Sequence, residues 1–288
     1  EHSVLALAEG LNALSDREDV RDPAALRRRL PALLARIPGA VFAASRADLP
    51  GLLPEISSDD AGYIELPSFE DIQAEPKKLV EATLLLERQV HQDREFAVQE
   101  SGGRLVILTP PGRGLEGAAL DGLHALPFAR AAHPSYAEPV QAVEMMRGSL
   151  TAHRGCAGGC SFCTLALHQG RRIRSRSRES VLAEARAVAG TRGFSGSISD
   201  VGGPSANMWN ARCAVDPARC KRSSCLTPAL CKHFKADQAG FVQLLRDVSA
   251  VPGVRHVRVA SGWRMDLALS DRAACGAMVR EFVGGQAK

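Results

Sequence analysis

Aromatic side chains are sparse in this sequence, only 5% of 288 residues, and none interrupts the arginine-rich stretch "GRRIRSRSRES". A groove that holds nucleic acid strands stacks bases on rings set among its cations. Without rings, Arg171, Arg172, Arg174, Arg176 and Arg178 are expected to form a solvated loop rather than a nucleic-acid surface. Also missing is any apolar run approaching a bilayer span. The N-terminus "EHSVLALAEG" lacks the basic-then-apolar layout of a secretory leader. The expected compartment is therefore the cytoplasm, with no membrane partner. Charge of one sign is lacking too: 36 Lys and Arg against 32 Asp and Glu leave +4. That balance permits an anionic substrate or a nucleic acid and argues for neither. There is no internal repeat and no low-complexity tract. Eight cysteines in a chain of this length are too few for a disulfide scaffold.

What is present is cysteine in two clusters. Seven of the eight fall between Cys156 and Cys231, which favours metal binding or catalysis over disulfides in a chain without an export signal. Cys275 lies alone on an apolar helix face and reads as a core residue.

The chain-wise pattern is α/β. "EHSVLALAEGLN" has helical periodicity with no preceding cap, and "REFVGGQAK" ends a helix with a turn signal and no strand after it. Both ends are expected to be cuts in a longer protein. Residues 22 to 36 suggest a helix with Asp22 as N-cap, Pro23 at its first position and a kink at Pro31. "AVFAAS" suggests a strand. "LPSFEDIQAEPKKLVEATLLLERQVHQ" suggests two helices, the second from Pro76, and "RLVILTPP" a strand. "HPSYAEPVQ" is a proline-marked connector.

From residue 148 strands and helices alternate. "SLTAH", "GSISDVGG" and "VRHVRVASG" are the strands; "ESVLAEARAVAG", "FVQLLRDVSAV" and "RAACGAMVREFVGG" are the helices. This spacing implies βαβ units and a parallel sheet, with chemistry in the loops after the strands. The expected organisation is a helical and α/β segment over 1–100, a connector over 101–147 and a core domain over 148–288, with a cysteine-rich insertion at 210–235.

Cys156, Cys160 and Cys163 form a C-x3-C-x2-C array. A structural zinc site closes with four ligands, and so does a ferredoxin-type cluster; this loop supplies three thiols. His153 or His168 is the candidate for a fourth zinc ligand. Three thiolates on a four-iron cluster would instead leave one iron open. Cys213, Cys220, Cys225 and Cys231 form a second array in the insertion, open to zinc, to a second cluster, or to no metal at all. A rival reading of the whole is a non-catalytic zinc-stapled module whose basic loop contacts nucleic acid. Arg264 and Asp266, after the third strand, suit either a site or a structural ion pair.

C-x3-C-x2-C with Phe162 before the last cysteine resembles the radical S-adenosylmethionine enzymes. "HPSY", "HRGCAGGCSFC", "HQGR", "SRSRES", "SDVGGPSANMW" and "ASGWRMDLAL", in that order over residues 126–288, are similar to the YgiQ family within them. The resemblance implies the front half of a partial (β/α)6 TIM-like barrel with an upstream α/β extension. Residues 1–100 then include the end of an N-terminal Rossmann-like domain. It implies a [4Fe–4S] cluster on Cys156, Cys160 and Cys163, S-adenosylmethionine at the open iron, and a 5′-deoxyadenosyl radical that acts on a substrate the sequence does not name. Phe162 would lie near the adenine, and Gly202 and Gly203 would meet the methionine end. Pro204 stands where many relatives carry a glutamate. An external electron donor of flavodoxin or ferredoxin type is implied as well.

Overall fold

In a computed structural model of the chain, residues 2–15, 23–52, 63–112, 114–216 and 219–283 are described. They divide into two compact units, residues 1–113 and 114–288, with 217–219 grouped with the first.

The first unit opens with helices α1 (His2–Ser15) and α2 (Pro23–Leu34), the latter with Pro31 inside it. The expected N-cap, Asp22, lies outside the described residues. Strand β1 (Val41–Ala44) alternates exposed and buried side chains, and the short helix α3 (Leu49–Leu52) follows it. Next come strand β2 (Tyr63–Leu66), helix α4 (Phe69–Ala74) and helix α5 (Lys78–Gln92). Ser68 caps α4 by accepting from Asp71 N. A turn beginning at Pro76 leads into α5, where Leu79 N donates to Pro76 O at 3.1 Å.

Strands β3 (Phe96–Ser101) and β4 (Arg104–Leu108) form a hairpin. Its two turn residues, Gly102 and Gly103, have φ of 58° and 73°. A two-residue loop of the primed type needs that sign at both positions, and glycine adopts it without strain. The sheet order is β1-β4-β3-β2, antiparallel except for the β2–β3 pair. Phe42, Ala44, Val98, Leu105 and Ile107 make one buried cluster, and Ile64, Leu66 and Ala97 another. β2 and β3 were not expected from the sequence.

The second unit begins with α6 (Gly117–His124) and α7 (Gln141–Met146), with "HPSYAEPV" between them free of regular structure. Then follow β5 (Ser149–Thr151), β6 (His153–Arg154), α8 (Leu165–Gln169), β7 (Arg174–Ser175) and α9 (Arg178–Ala189). β8 (Ser197–Ile198) and β9 (Asp200–Gly202) are one extended line interrupted at Ser199. β10 (Arg212–Cys213) and β11 (Phe234–Lys235) close the insertion as an antiparallel pair. The rest is α10 (Gln238–Ser249), β12 (His256–Val257), α11 (Met265–Ser270) and α12 (Arg272–Val283).

β5 pairs in parallel with β9, and β8 in parallel with β12. Backbone bonds continue the ladder through the break, Ser199 N to Gly148 O and Arg258 N to Ile198 O, each 3.0 Å. The expected parallel βαβ succession is therefore present, and the fold is mixed α/β.

α9 and α10 are the crossovers, and each starts at a side-chain cap: Ser177 accepts from Ser180 N, and Asp237 from Gly240 N. Val181, Leu182, Ala185 and Val188 on α9 recur at helical spacing, as do Phe241, Leu244, Leu245 and Val248 on α10. Those stripes bury against Leu150, Ile198, Val201 and Val257 of the strands in one cluster, so burial of the two helix faces holds the strands in place. α11 was not expected.

Candidate functional site

Three loops leave the same ends of the parallel strands: the cysteine loop, the segment after Gly202, and the segment after β12. The cysteine loop is the excursion of a hairpin. β6 and β7 pair antiparallel, His153 opposite Ser175 and Arg154 opposite Arg174, and Cys156 to Cys163 lie between.

The base of the loop is pinned by Cys156 N to Gly170 O and by Gly155 N to Gln169 Oε1, both 3.1 Å. Gly155 has φ 88°, and a Cβ there would stand 2.0 Å from Arg172 O, so only glycine fits. At Gly158 a Cβ would lie 3.4 Å from Cys156 Sγ and 3.5 Å from Cys160 Sγ, with Arg264 Nη1 at 3.6 Å. The glycine thus marks a spot on which two thiols and a guanidinium converge.

Cys163 is one turn beyond Cys160, its N–H donating to Cys160 O at 3.0 Å. Phe162 is 89% exposed and covers nothing in the protein itself. All eight cysteines are free thiols.

Arg264 comes from the loop after β12. Its Nη1 donates to Cys160 Sγ at 3.4 Å, while Nε and Nη2 bind Asp266. The hydrogen bond to Asp266 raises the Arg264 guanidinium above its already high range, and the same contact lowers the Asp266 carboxyl. The pair is thus both an ion pair and a neighbour of the thiols, and the two sequence readings of it hold together.

The Arg264 backbone is fixed by Asn207. Arg264 N donates to Asn207 Oδ1 at 2.9 Å, and Asn207 Nδ2 donates to Arg264 O and to Gln238 Oε1. Asn207 and Gln238 are buried, and Gln238 Nε2 returns a bond to Asn207 O. The sequence alone does not single out this pair; its only signal is "PSAN", which begins four residues after the start of β9.

Gly202 ends β9 opposite Thr151, and Ala152 N donates to Gly202 O at 2.6 Å. A Cβ on Gly203 would stand 2.6 Å from His153 O and 2.7 Å from the imidazole. Gly203 therefore lies directly against the residue that starts the cysteine loop, while a Cβ on Gly202 would meet Ser261 Oγ at 2.8 Å. His153 is fully buried, and its ring nitrogens lack a well-formed hydrogen bond. Burial pushes it down to about 4, so it is neutral. His168 is on α8.

The arginine run departs from expectation. Arg171 and Arg176 are buried rather than solvated. Arg176 donates from Nη1 to Thr151 O at 2.9 Å, from Nη2 to Ser180 O at 2.9 Å, and pairs with Glu184. Glu184 also pairs with Arg130. Only Arg172 and Arg178 are classed as exposed. Local alternation could not show this, because the carboxylate that draws Arg176 inward arrives from the next helix.

The insertion touches the cysteine loop twice. Ser224 Oγ donates to Gly158 O at 2.6 Å, and Cys225 N donates to Ala157 O at 3.0 Å. Gly159, at φ 60°, would put a Cβ 2.4 Å from Ser223 O. Ala157, Met208, Ala211, Cys225, Leu226, Phe234 and Leu267 form one buried cluster around this joint.

Among the described residues no group of three or more His, Cys, Asp or Glu is drawn close enough to hold a single metal ion. Sulfurs on one zinc lie less than about 4 Å apart, since each is near 2.3 Å from it. A four-iron cluster binds each thiolate at a different corner and tolerates a wider set.

A cavity of about 800 Å³ in the first unit is lined by Glu65, Glu70, Asp71, Glu81, Glu100 and Lys78 and involves no cysteine. No described helix is long and apolar enough to cross a membrane.

A family model described as "Radical SAM N-terminal" matches residues 1–149. A UPF0313 protein of Geobacter sulfurreducens is 44% identical over 231 residues, 79% of this chain and 38% of that protein. The UPF0313 protein YgiQ of Salmonella typhimurium is 38% identical over 231 residues, 78% of this chain and 32% of its own length. A UPF0313 protein of Methanocella arvoryzae is 38% identical over 234 residues, 80% of this chain and 39% of the relative. The chain thus spans well under half the length of each of these three relatives.

Proposed function

The chain belongs to the radical SAM family of YgiQ type, and from that premise we propose that it carries the cluster-binding part of a radical S-adenosylmethionine enzyme. Cys156, Cys160 and Cys163 would hold a [4Fe–4S] cluster. The observation that carries this reading is the approach of Cys156 Sγ and Cys160 Sγ to one point at Gly158, beside Arg264. When bound, the cluster supplies an electron and an open iron at which S-adenosylmethionine is cleaved to methionine and a 5′-deoxyadenosyl radical.

The chain's own residues orient and shield. Gly203 beside His153 and Gly202 beside Ser261 offer backbone without side chains, where the methionine end of the cofactor would lie. Phe162, exposed on the loop, is free to cover the adenine. Arg264 stays cationic through Asp266 and offsets thiolate charge at Cys160. Neutral, buried His153 keeps the floor of the site dry and uncharged.

The parallel order β5, β8–β9, β12 supports the front half of a partial (β/α)6 TIM-like barrel. A flavodoxin- or ferredoxin-like protein would deliver the electron in the cytoplasm.

The test is anaerobic reconstitution with iron and sulfide. The first array should take up about four irons, lost when Cys156, Cys160 and Cys163 are all replaced by Ala while any metal on the second array stays. S-adenosylmethionine should alter the paramagnetic resonance signal of the reduced cluster. Stoichiometric zinc on this array, with no iron uptake, would overturn the reading.

A further inference from the structure

The insertion grips the cysteine loop by two consecutive carbonyls. Cys225 N donates to Ala157 O at 3.0 Å, and Ser224 Oγ donates to Gly158 O at 2.6 Å. Ser224 Oγ also accepts from Leu226 N and Thr227 N, each at 3.0 Å. With both lone pairs taken, the hydroxyl proton is directed to the Gly158 carbonyl. Ser224 is buried, and Arg222 fastens its turn by donating to the carbonyls of Ser224, Thr227 and Ala229. Cys231 N closes the same turn onto Cys225 O at 2.7 Å. The clamp on the loop is therefore itself held in place.

In a trans peptide unit the N–H points opposite to the C=O. Holding Ala157 O and Gly158 O against the insertion therefore turns the N–H groups of Gly158 and Gly159 away from it. Neither N–H has an acceptor among the described residues, and Gly158 is buried. A buried amide without an acceptor is rare in folded proteins, so this pair of donors calls for a ligand. Beside Gly158 stand Cys156 Sγ and Cys160 Sγ, 3.4 and 3.5 Å from where its Cβ would be. Successive peptide N–H groups turned to one side cradle an anion, and hydrogen bonds to sulfur tune the potential of an iron–sulfur centre.

We propose that the amides of Gly158 and Gly159 donate to the anionic sulfur of the first centre, and that Ser224 is the positioning residue that aims them. The inference rests on the reading of Cys156, Cys160 and Cys163 as cluster ligands. Through this clamp the insertion acts on the centre by way of the loop backbone. Losing the Ser224 bond frees the Gly158–Gly159 peptide unit to turn. The sulfur then loses a donor that stabilises its more negative, reduced state.

The test uses protein reconstituted anaerobically with iron and sulfide and isotopically labelled only at its glycine nitrogens. Pulsed paramagnetic resonance of the reduced first cluster should show coupling to glycine nitrogen. Ser224→Ala should weaken that coupling and destabilise the reduced state several-fold, read as a negative shift of the midpoint potential. Ser224→Thr, which keeps the hydroxyl, should stay near wild type on both readouts. In the metal-free protein, hydrogen exchange over residues 155–163 should be several-fold faster in Ser224→Ala than in wild type. A wild-type cluster without glycine-nitrogen coupling would overturn the proposal even where the alanine variant fails to fold. So would a Ser224→Ala protein with wild-type coupling and potential. Both of those outcomes start from an assembled cluster and leave the proposed function standing. If the first array takes up no iron at all, the proposed function falls and this inference falls with it.

Discussion

Arg264 donates from Nη1 to the sulfur of Cys160 at 3.4 Å, joining residues 104 apart in the chain. A cation held on a thiolate ligand favours the more reduced, more negative state of whatever that thiolate binds. Arg264→Gln should therefore shift the midpoint potential of the first cluster negative by on the order of 50 mV, near a tenfold change for one electron. Potentiometric titration of the reconstituted protein reads this directly. An unchanged potential would mean that the Arg264–Asp266 pair is only a brace.

The joint at Gly159 predicts a stability difference between two glycines. Both Gly159 (φ 60°) and Gly193 (φ 81°) have left-handed backbone, but a Cβ meets Ser223 O at 2.4 Å only in the first, with nothing within 4 Å in the second. Alanine at Gly193 should cost about 1 kcal/mol from backbone strain alone, and alanine at Gly159 about 2–4 kcal/mol. Thermal unfolding of the two variants compares them. Equal losses would show that the insertion yields freely at this point.

His153 predicts an acid-side loss of stability. Its folded value is about 4 against an ordinary 6.5, because burial penalises the charged ring. The unfolded chain therefore binds a proton that the folded chain refuses between those values. This contribution is fully present above pH 6.5 and is lost as pH falls towards 4, a span of about 3 kcal/mol. Replacing His153 by Leu should flatten the dependence over that window, measured as urea midpoints at each pH. A slope identical to wild type would assign the acid sensitivity to other groups.

Arg176 predicts a large loss on truncation. Its side chain is 1% exposed and holds Glu184, Ser180 and the Thr151 carbonyl at the end of β5. Arg176→Met should cost about 3–5 kcal/mol, because Glu184 keeps only Arg130 and the carbonyls lose their donors. Adding Glu184→Gln to that variant should recover part of the loss, since the remaining charge is then removed. A double variant no more stable than the single would locate the cost in packing instead.

The sequence was most legible where local rules suffice. Ser177 and Asp237 stand as side-chain caps before apolar stripes at helical spacing, and the two crossovers follow from them. The cysteine spacing pointed to the loop without help from the fold. β2 escaped because four residues of alternation abutting the cap Ser68 are too brief to separate from the helix that follows, and β3 because its side chains do not alternate between buried and exposed. Arg176 is buried rather than solvated because it folds back onto Ser180 and Glu184 of the helix that follows and onto the Thr151 carbonyl, which alternation along the run does not show. The Arg264–Cys160 contact has no local signature of any kind. The motif resemblance rested on residues 126–288, whereas the matching family model covers residues 1–149, so the two overlap only over 126–149.

Ser224 reaches back 66 residues to close on Gly158, and Arg264 reaches back farther still to Cys160. Synthesis runs from the N-terminus, so the first three thiols leave the ribosome well before either clasp exists. Until residue 264 has emerged, Cys160 is without its guanidinium and the loop without its brace. A cluster delivered at that moment would enter an unfinished cradle. Closure of the loop around Cys160 therefore waits for the third strand's loop, and a ribosome stalled within the insertion would leave the three thiols without the Arg264 contact.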